Sequence, residues 1–166
     1  MESFRAGGDR FAWAEIHFEA ARVDALDAPR RHAMALALYE AEVRPQRFHV
    51  QRRAELLIEM RRFTEAEALL TARTDLDRNE WLQRLMARVR LETGDPLNAL
   101  AWIDRASSSL KAEHFRSEFL ELRSEIRAAL GDPLAIEDLV KARKASQKAG
   151  EAGRLEARLT RVASPE

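Results

Sequence analysis

Along most of this chain apolar side chains return every three or four residues, the spacing that lays a stripe along a helix and not the alternation of a strand. Between Asp9 and Val23 the apolar positions are Phe11, Ile16, Phe18, Ala20 and Val23 with Trp13 alongside, and Asp9 is placed to cap the helix. The same reading predicts helices over about 29–43, 46–60, 63–73, 79–92, 96–108, 111–130 and 133–148, and a shorter amphipathic one near 152–162. Ala, Leu, Arg and Glu dominate while Val, Ile and Thr are sparse, so propensity agrees with periodicity and an all-α fold is expected.

The breaks between these helices share one chemistry. Asp27-Ala28-Pro29, Gly94-Asp95-Pro96 and Gly131-Asp132-Pro133 each read as a tight corner between two helices. In the last two, Gly takes the left-handed conformation that ends one helix, Asp accepts from the orphan amides of the next, and Pro sits where its missing N–H costs nothing. A fourth corner, Arg61-Arg62-Phe63-Thr64-Glu65-Ala66, keeps the position without the Pro. Pro29, Phe63, Pro96 and Pro133 stand 34, 33 and 37 residues apart, so two-helix units recur at nearly constant length, with an insertion before Gly131.

Met60-Arg61-Arg62-Phe63-Thr64-Glu65-Ala66-Glu67-Ala68-Leu69-Leu70 resembles the corner of the tetratricopeptide repeat family, and Gly94-Asp95-Pro96-Leu97-Asn98-Ala99-Leu100-Ala101-Trp102-Ile103 is a second match, with Ala99 where two helices touch. Gly131-Asp132-Pro133-Leu134-Ala135-Ile136 is weaker, with Ile136 in that place, and the first unit has His32 there. No first helix carries a clean Trp-Leu-Gly-Tyr signature. The resemblance covers residues 10 to 148 and implies a single domain, a right-handed superhelical solenoid of antiparallel helix pairs. Its three or four repeats would span about 10–45, 46–78, 79–110 and 111–148, followed by a capping helix at 150–163.

A two-helix unit cannot cover its own apolar face, so units stack, and in this family the first helix of each pair lines a concave groove. Register then implies groove positions at Ala14 and His17, at Phe48, Gln51 and Glu55, at Trp81, Arg84 and Arg88, and at Glu118, Glu121 and Glu125. An arginine band would stand beside a carboxylate band, with Phe48 and Trp81 as aromatic anchors, the residue types that most often carry interface energy. A plainer reading stays open: the glutamate row is a solvated face, Arg84 and Arg88 pair across to it, and Phe48, Trp81, Trp13 and Trp102 are packing residues.

With 28 basic and 28 acidic residues the net charge is zero, which removes any bulk attraction to nucleic acid or anionic lipid. The absence of cysteine excludes disulfides, thiolate catalysis and cysteine-ligated metals. His17, His32, His49 and His114 lack the i, i+4 pairing of a metal site, no phosphate-cradling glycine motif occurs, and Ser107 to Ser109 have no activating base nearby in sequence. No cofactor, metal or catalytic group is expected. The longest apolar run, Ala33 to Tyr39, is far short of a membrane span. The first residues lack the order of a secretory leader, so a cytoplasmic location is expected. An Arg to Lys ratio of 24 to 4 points to a GC-rich, bacterial genome.

From Leu139 to Arg161 seven basic residues, among them Lys141, Lys144 and Lys148, face only two acids. Such an end could touch RNA, an anionic lipid face or an acidic partner, but Leu155, Leu159 and Val162 give it the inner face of a capping helix. The expected function is a non-catalytic protein-interaction module, an adaptor, co-chaperone or secretion-type chaperone, that holds a peptide or a partner helix. The alternatives are a helical-repeat RNA-binding protein, disfavoured by neutrality, and the non-catalytic repeat portion of a larger enzyme or regulator. Pairing of two copies through an exposed end face is also open.

Overall fold

The computed structural model describes residues 8–41, 47–109 and 116–147. Among them the only regular structure is helical. The helices are α1 (Gly8–Val23), α2 (Ala28–Glu40), α3 (Arg47–Glu59), α4 (Phe63–Thr71), α5 (Glu80–Glu92), α6 (Pro96–Ser109), α7 (Arg116–Ala129) and α8 (Leu134–Gln147), with one 3-10 turn at Leu76–Arg78. Over the described residues they match the expected spans to within two residues at each end, while residues 42–43, 46, 111–115 and 148 of those spans and the expected capping helix near 152–162 lie outside the described residues. No helix among the described residues is long and apolar enough to cross a membrane.

Backbone contacts group the chain into two compact units, Met1–Arg73 and Thr74–Glu166. In the first, α1 packs on α2, α2 touches α3, and α3 packs on α4; its buried side chains include Phe18, Leu36, Tyr39, Leu57 and Leu70. In the second, α5 packs on α6, α6 on α7 and α7 on α8, and α5 also touches α7. Ala87, Ala99, Ile103, Ala106, Phe119, Leu122 and Ile126 form a core there, with Trp81 and Trp102 packed against it. Leu139 and Ala142 of α8 close a smaller cluster with Leu120.

Three corners share one hydrogen-bond pattern. After α5 the amide of Gly94 donates to Leu91 O at 3.1 Å and that of Asp95 to Arg90 O at 2.8 Å. After α7 Gly131 donates to Ala128 O and Asp132 to Arg127 O, and after α3 Arg61 donates to Ile58 O and Arg62 to Leu57 O. This paired closure puts one residue in the left-handed region. Gly94 (φ 82°) and Gly131 (φ 70°) take it without steric cost, whereas Arg61 does so at φ 58°. The recurring corner is therefore set by backbone closure, and Gly only makes it cheaper. Arg61→Gly should stabilise the protein by about 1 kcal/mol, because a left-handed L-residue costs about 1–2 kcal/mol and Gly returns part of that in chain entropy. A thermal melt checks this, and a lower melting temperature would mean that the Arg61 guanidinium over the Phe63 ring, at 5.4 Å, matters more than the strain.

Capping follows the chemistry expected of the two acidic corners. Asp95 Oδ1 accepts from the Asn98 amide at 3.2 Å, and Asp132 Oδ1 from the Leu134 amide at 2.9 Å. Bonds from the Asn98 side chain and amide hold the Asp95 carboxyl below its usual range. At the third corner Arg62 caps nothing with its side chain and instead grips Glu65 with two bonds of 2.6 Å.

Three local expectations need correction. α1 already contains Gly8 and Asp9, so Asp9 is inside its first turn and is not its N-cap. Within α1 the buried residues are Ala14, Phe18 and Ala21, while Ile16, Val23 and Trp13 are exposed. The apolar positions between Asp9 and Val23 therefore make two narrow stripes on different sides and not one broad one, and only one faces α2. At the last corner the small residue against α7 is buried Ala135, whose carbonyl accepts from Ser124 Oγ at 2.8 Å, and Ile136 points to solvent. The Ala135 amide bonds back three residues to Asp132 O, whereas the Ala99 amide bonds back four to Asp95 O, and that tighter first turn moves the contact from the fourth to the third position.

Candidate interaction surface

The first helices of the predicted pairs carry the candidate residues, and each unit is best built from its own helices. In the second unit Asn79 caps α5, accepting from the amides of Trp81 at 3.1 Å and Leu82 at 3.3 Å. That fixes the phase of α5, so that Leu82, Leu85, Met86 and Val89 go inward while Trp81, Arg84 and Arg88 lie along a half-buried edge. α7 lies beside that edge. Arg84 Nη1 is 3.3 Å from Glu118 Oε2, and Arg88 bonds Glu125 and approaches Glu92 at 3.7 Å.

Glu121 is buried within electrostatic reach of Arg88. Burial lowers the tendency of Arg88 to hold its proton, partly offset by Glu92 and Glu121, though a guanidinium remains charged throughout the physiological range. Trp81 meets the buried ring of Phe119 edge-on, with centroids 5.3 Å apart at 72°. The Arg84 guanidinium lies 5.3 Å from the Trp81 ring and 5.8 Å from that of Phe119. The six positions Trp81, Arg84, Arg88, Glu118, Glu121 and Glu125 are thus brought together, with two arginines set against three glutamates.

In the first unit Phe48, Gln51 and Glu55 share one side of α3. Gln51 Nε2 donates to Glu55 Oε1 at 3.1 Å, and Arg52 Nη1 to Glu55 Oε2 at 2.8 Å. Phe48 is exposed and sits 5.3 Å from Phe11, whose ring also stacks on His49 at 4.6 Å. Arg52 ties this edge to α1, reaching Glu15 Oε2 at 3.3 Å, and Glu15 accepts the hydroxyl of Tyr39. Burial, together with that bond, pushes the Tyr39 hydroxyl well above its ordinary value. Burial works against the charge of Arg52, but the bond and attraction from Glu55, with Glu15, raise its affinity for the proton overall. Ala14 is fully buried and offers a ligand nothing, while His17 is half-buried near Trp13.

Sequence reasoning did not find Glu15, Tyr39 and Arg52, which join the aromatic edge to a polar cluster. Nor did it find the ion cluster of Arg123, Arg127 and Asp138 between α7 and α8. Arg52 follows Gln51 along the same helix and could have been flagged as a neighbour; Tyr39 and Asp138 carry no signal until two helices are placed side by side. Among the described residues no three His, Cys, Asp or Glu side chains are grouped to hold a metal ion. Lys141 pairs with Glu137 at 2.6 Å, while Lys148, Arg154, Arg158 and Arg161 of the basic run lie outside the described residues. No protein-family model, no curated protein and no solved structure matches this chain.

Proposed function

We propose that this chain is a tetratricopeptide-like helical-repeat protein whose hairpins stack as a right-handed superhelical solenoid. It serves as a non-catalytic interaction module that holds a peptide or a partner helix along the first helices of its pairs. The observation that carries this reading is the contact of α5 with α7, the first helices of successive hairpins. That contact aligns Trp81, Arg84 and Arg88 with Glu118, Glu121 and Glu125. A half-buried aromatic flanked by opposed charges suits a polypeptide guest, which can offer an apolar side chain to Trp81 and exchange partners with a half-exposed ion pair at little net cost. Three corners with the same closure, at 33- and 37-residue intervals, support the repeat reading.

The test inverts one charge pair without removing it. A variant with Arg84→Glu and Glu118→Arg inverts that pair, leaves Arg88 with Glu92, Glu121 and Glu125, and should stay within about 1 kcal/mol of the parent in stability, since the pair is partly exposed. Its captured partners, compared by affinity purification at matched folded concentration, should differ from those of the parent. Identical partner sets would remove these residues from the binding surface.

A further inference from the structure

α1 carries two apolar seams, each with the 3-4-3 spacing of a helix that packs on another helix. Phe11, Ala14, Phe18 and Ala21 form the first, of which the last three are buried. Trp13, Ile16, Ala20 and Val23 form the second, about 160° around the helix, and Trp13 (52%), Ile16 (54%) and Val23 (90%) are largely exposed, as is Leu26 (98%) just beyond the helix end. Isolated exposed apolar residues are ordinary, but three exposed ones around a half-buried alanine at seam spacing are a surface prepared for a helix.

We propose that this seam is covered by the same seam of a second copy, the two α1 helices crossing antiparallel about a two-fold axis between Ile16 and Ala20. Two features of the sequence favour a second copy. The seam is self-complementary when reversed: Trp13 falls opposite Val23 and Ile16 opposite Ala20, so a large side chain meets a smaller one in every layer, as an isologous interface requires. The flanks also match in charge, because reversal sets Arg10 of one copy beside Asp24 of the other. On the opposite flank Glu19 stands near the axis in both copies, already matched by Arg22 of its own helix at 3.2 Å. Two such seams bury roughly 800–1,000 Å² in total, the low end of specific interfaces, so the dimer is a weak, concentration-dependent one. The proposal stands on α1 alone and does not depend on the interaction surface described above.

Sedimentation equilibrium of the full chain should give a monomer–dimer curve with a midpoint at about 10–100 µM. Ile16→Glu, on an exposed position, should raise that midpoint at least tenfold with an unchanged circular dichroism spectrum. Because the chain has no cysteine, Ile16→Cys combined with Ala20→Cys offers a test of register: mild oxidation should give a covalent dimer, whereas Leu97→Cys on α6 should not. A chain that stays monomeric throughout this range overturns the proposal, and so does a dimer that survives Ile16→Glu or fails to crosslink through residues 16 and 20. In those cases the seam belongs to another segment of the chain or to a different protein.

Discussion

Replacing Asp138 with alanine should cost about 3–4 kcal/mol of stability, the range seen when one member of a buried ion pair is removed and its partners are left behind. Asp138 is fully buried on α8. Its two oxygens take Nε and Nη2 of Arg123 at 2.8 and 2.7 Å and Nη1 of Arg127 at 2.7 Å. The bond from Asp138 is the largest reason that Arg123 holds its proton more tightly than usual. Without the carboxylate, two guanidinium groups one helical turn apart face each other in a partly dry space, with Asp104 at 3.3 Å from Arg123, Asp132 at 3.4 Å from Arg127 and Glu137 within electrostatic reach of both. Arg127→Ala should cost distinctly less, because the two-pronged contact of Arg123 survives. Urea unfolding followed at 222 nm measures both. A loss under about 1 kcal/mol for the alanine variant would mean that the arginines swing out to water and that apolar packing alone holds α8 on α7.

Phe119→Ala should be at least as damaging, at about 3–5 kcal/mol, since it removes a fully buried aromatic and leaves a cavity where three helices meet. The ring lies between α5 and α6 and also supports the edge that carries Trp81 and Arg84. Loss of stability should therefore come with a change in the near-ultraviolet signal of Trp81, and Phe119→Leu, which keeps most of the volume, should restore the larger part of both. If the leucine variant is as unstable as the alanine one, ring geometry against Trp81 outweighs volume at this site.

Helix positions and corner chemistry were legible in the sequence because both depend on residues close along the chain. The 3.6-residue recurrence, the Gly-Asp-Pro corners and the acidic caps at Asp95 and Asp132 are short-range effects, and the structure carries them as expected. The phase of α1 was not legible: Trp13, Ile16 and Val23 are as apolar as Phe18, and periodicity cannot say which of two seams meets α2. The same holds for Ile136 and Ala135, where a tighter first turn, closed from Ala135 to Asp132 O, exchanged the buried and exposed positions. In the candidate surface the pairing of the arginines with the glutamate row was one of the two readings the register allowed, but the burial of Glu121 and the link from Arg52 through Glu15 to Tyr39 needed the helices in place.

By itself, then, the chain's order of residues determined what is local: the eight helices of the described residues, the corners between them, a net charge of zero and a cysteine-free composition that rules out thiol chemistry. Tertiary structure alone decided which charge meets which, that Asp138 is buried between two arginines, that Arg61 accepts a left-handed backbone, and that one seam of α1 is left facing solvent. The reason is that side-chain pairing between helices depends on their rotation and offset. Those are set by the summed packing of many distant residues, and no window of neighbouring positions contains that sum.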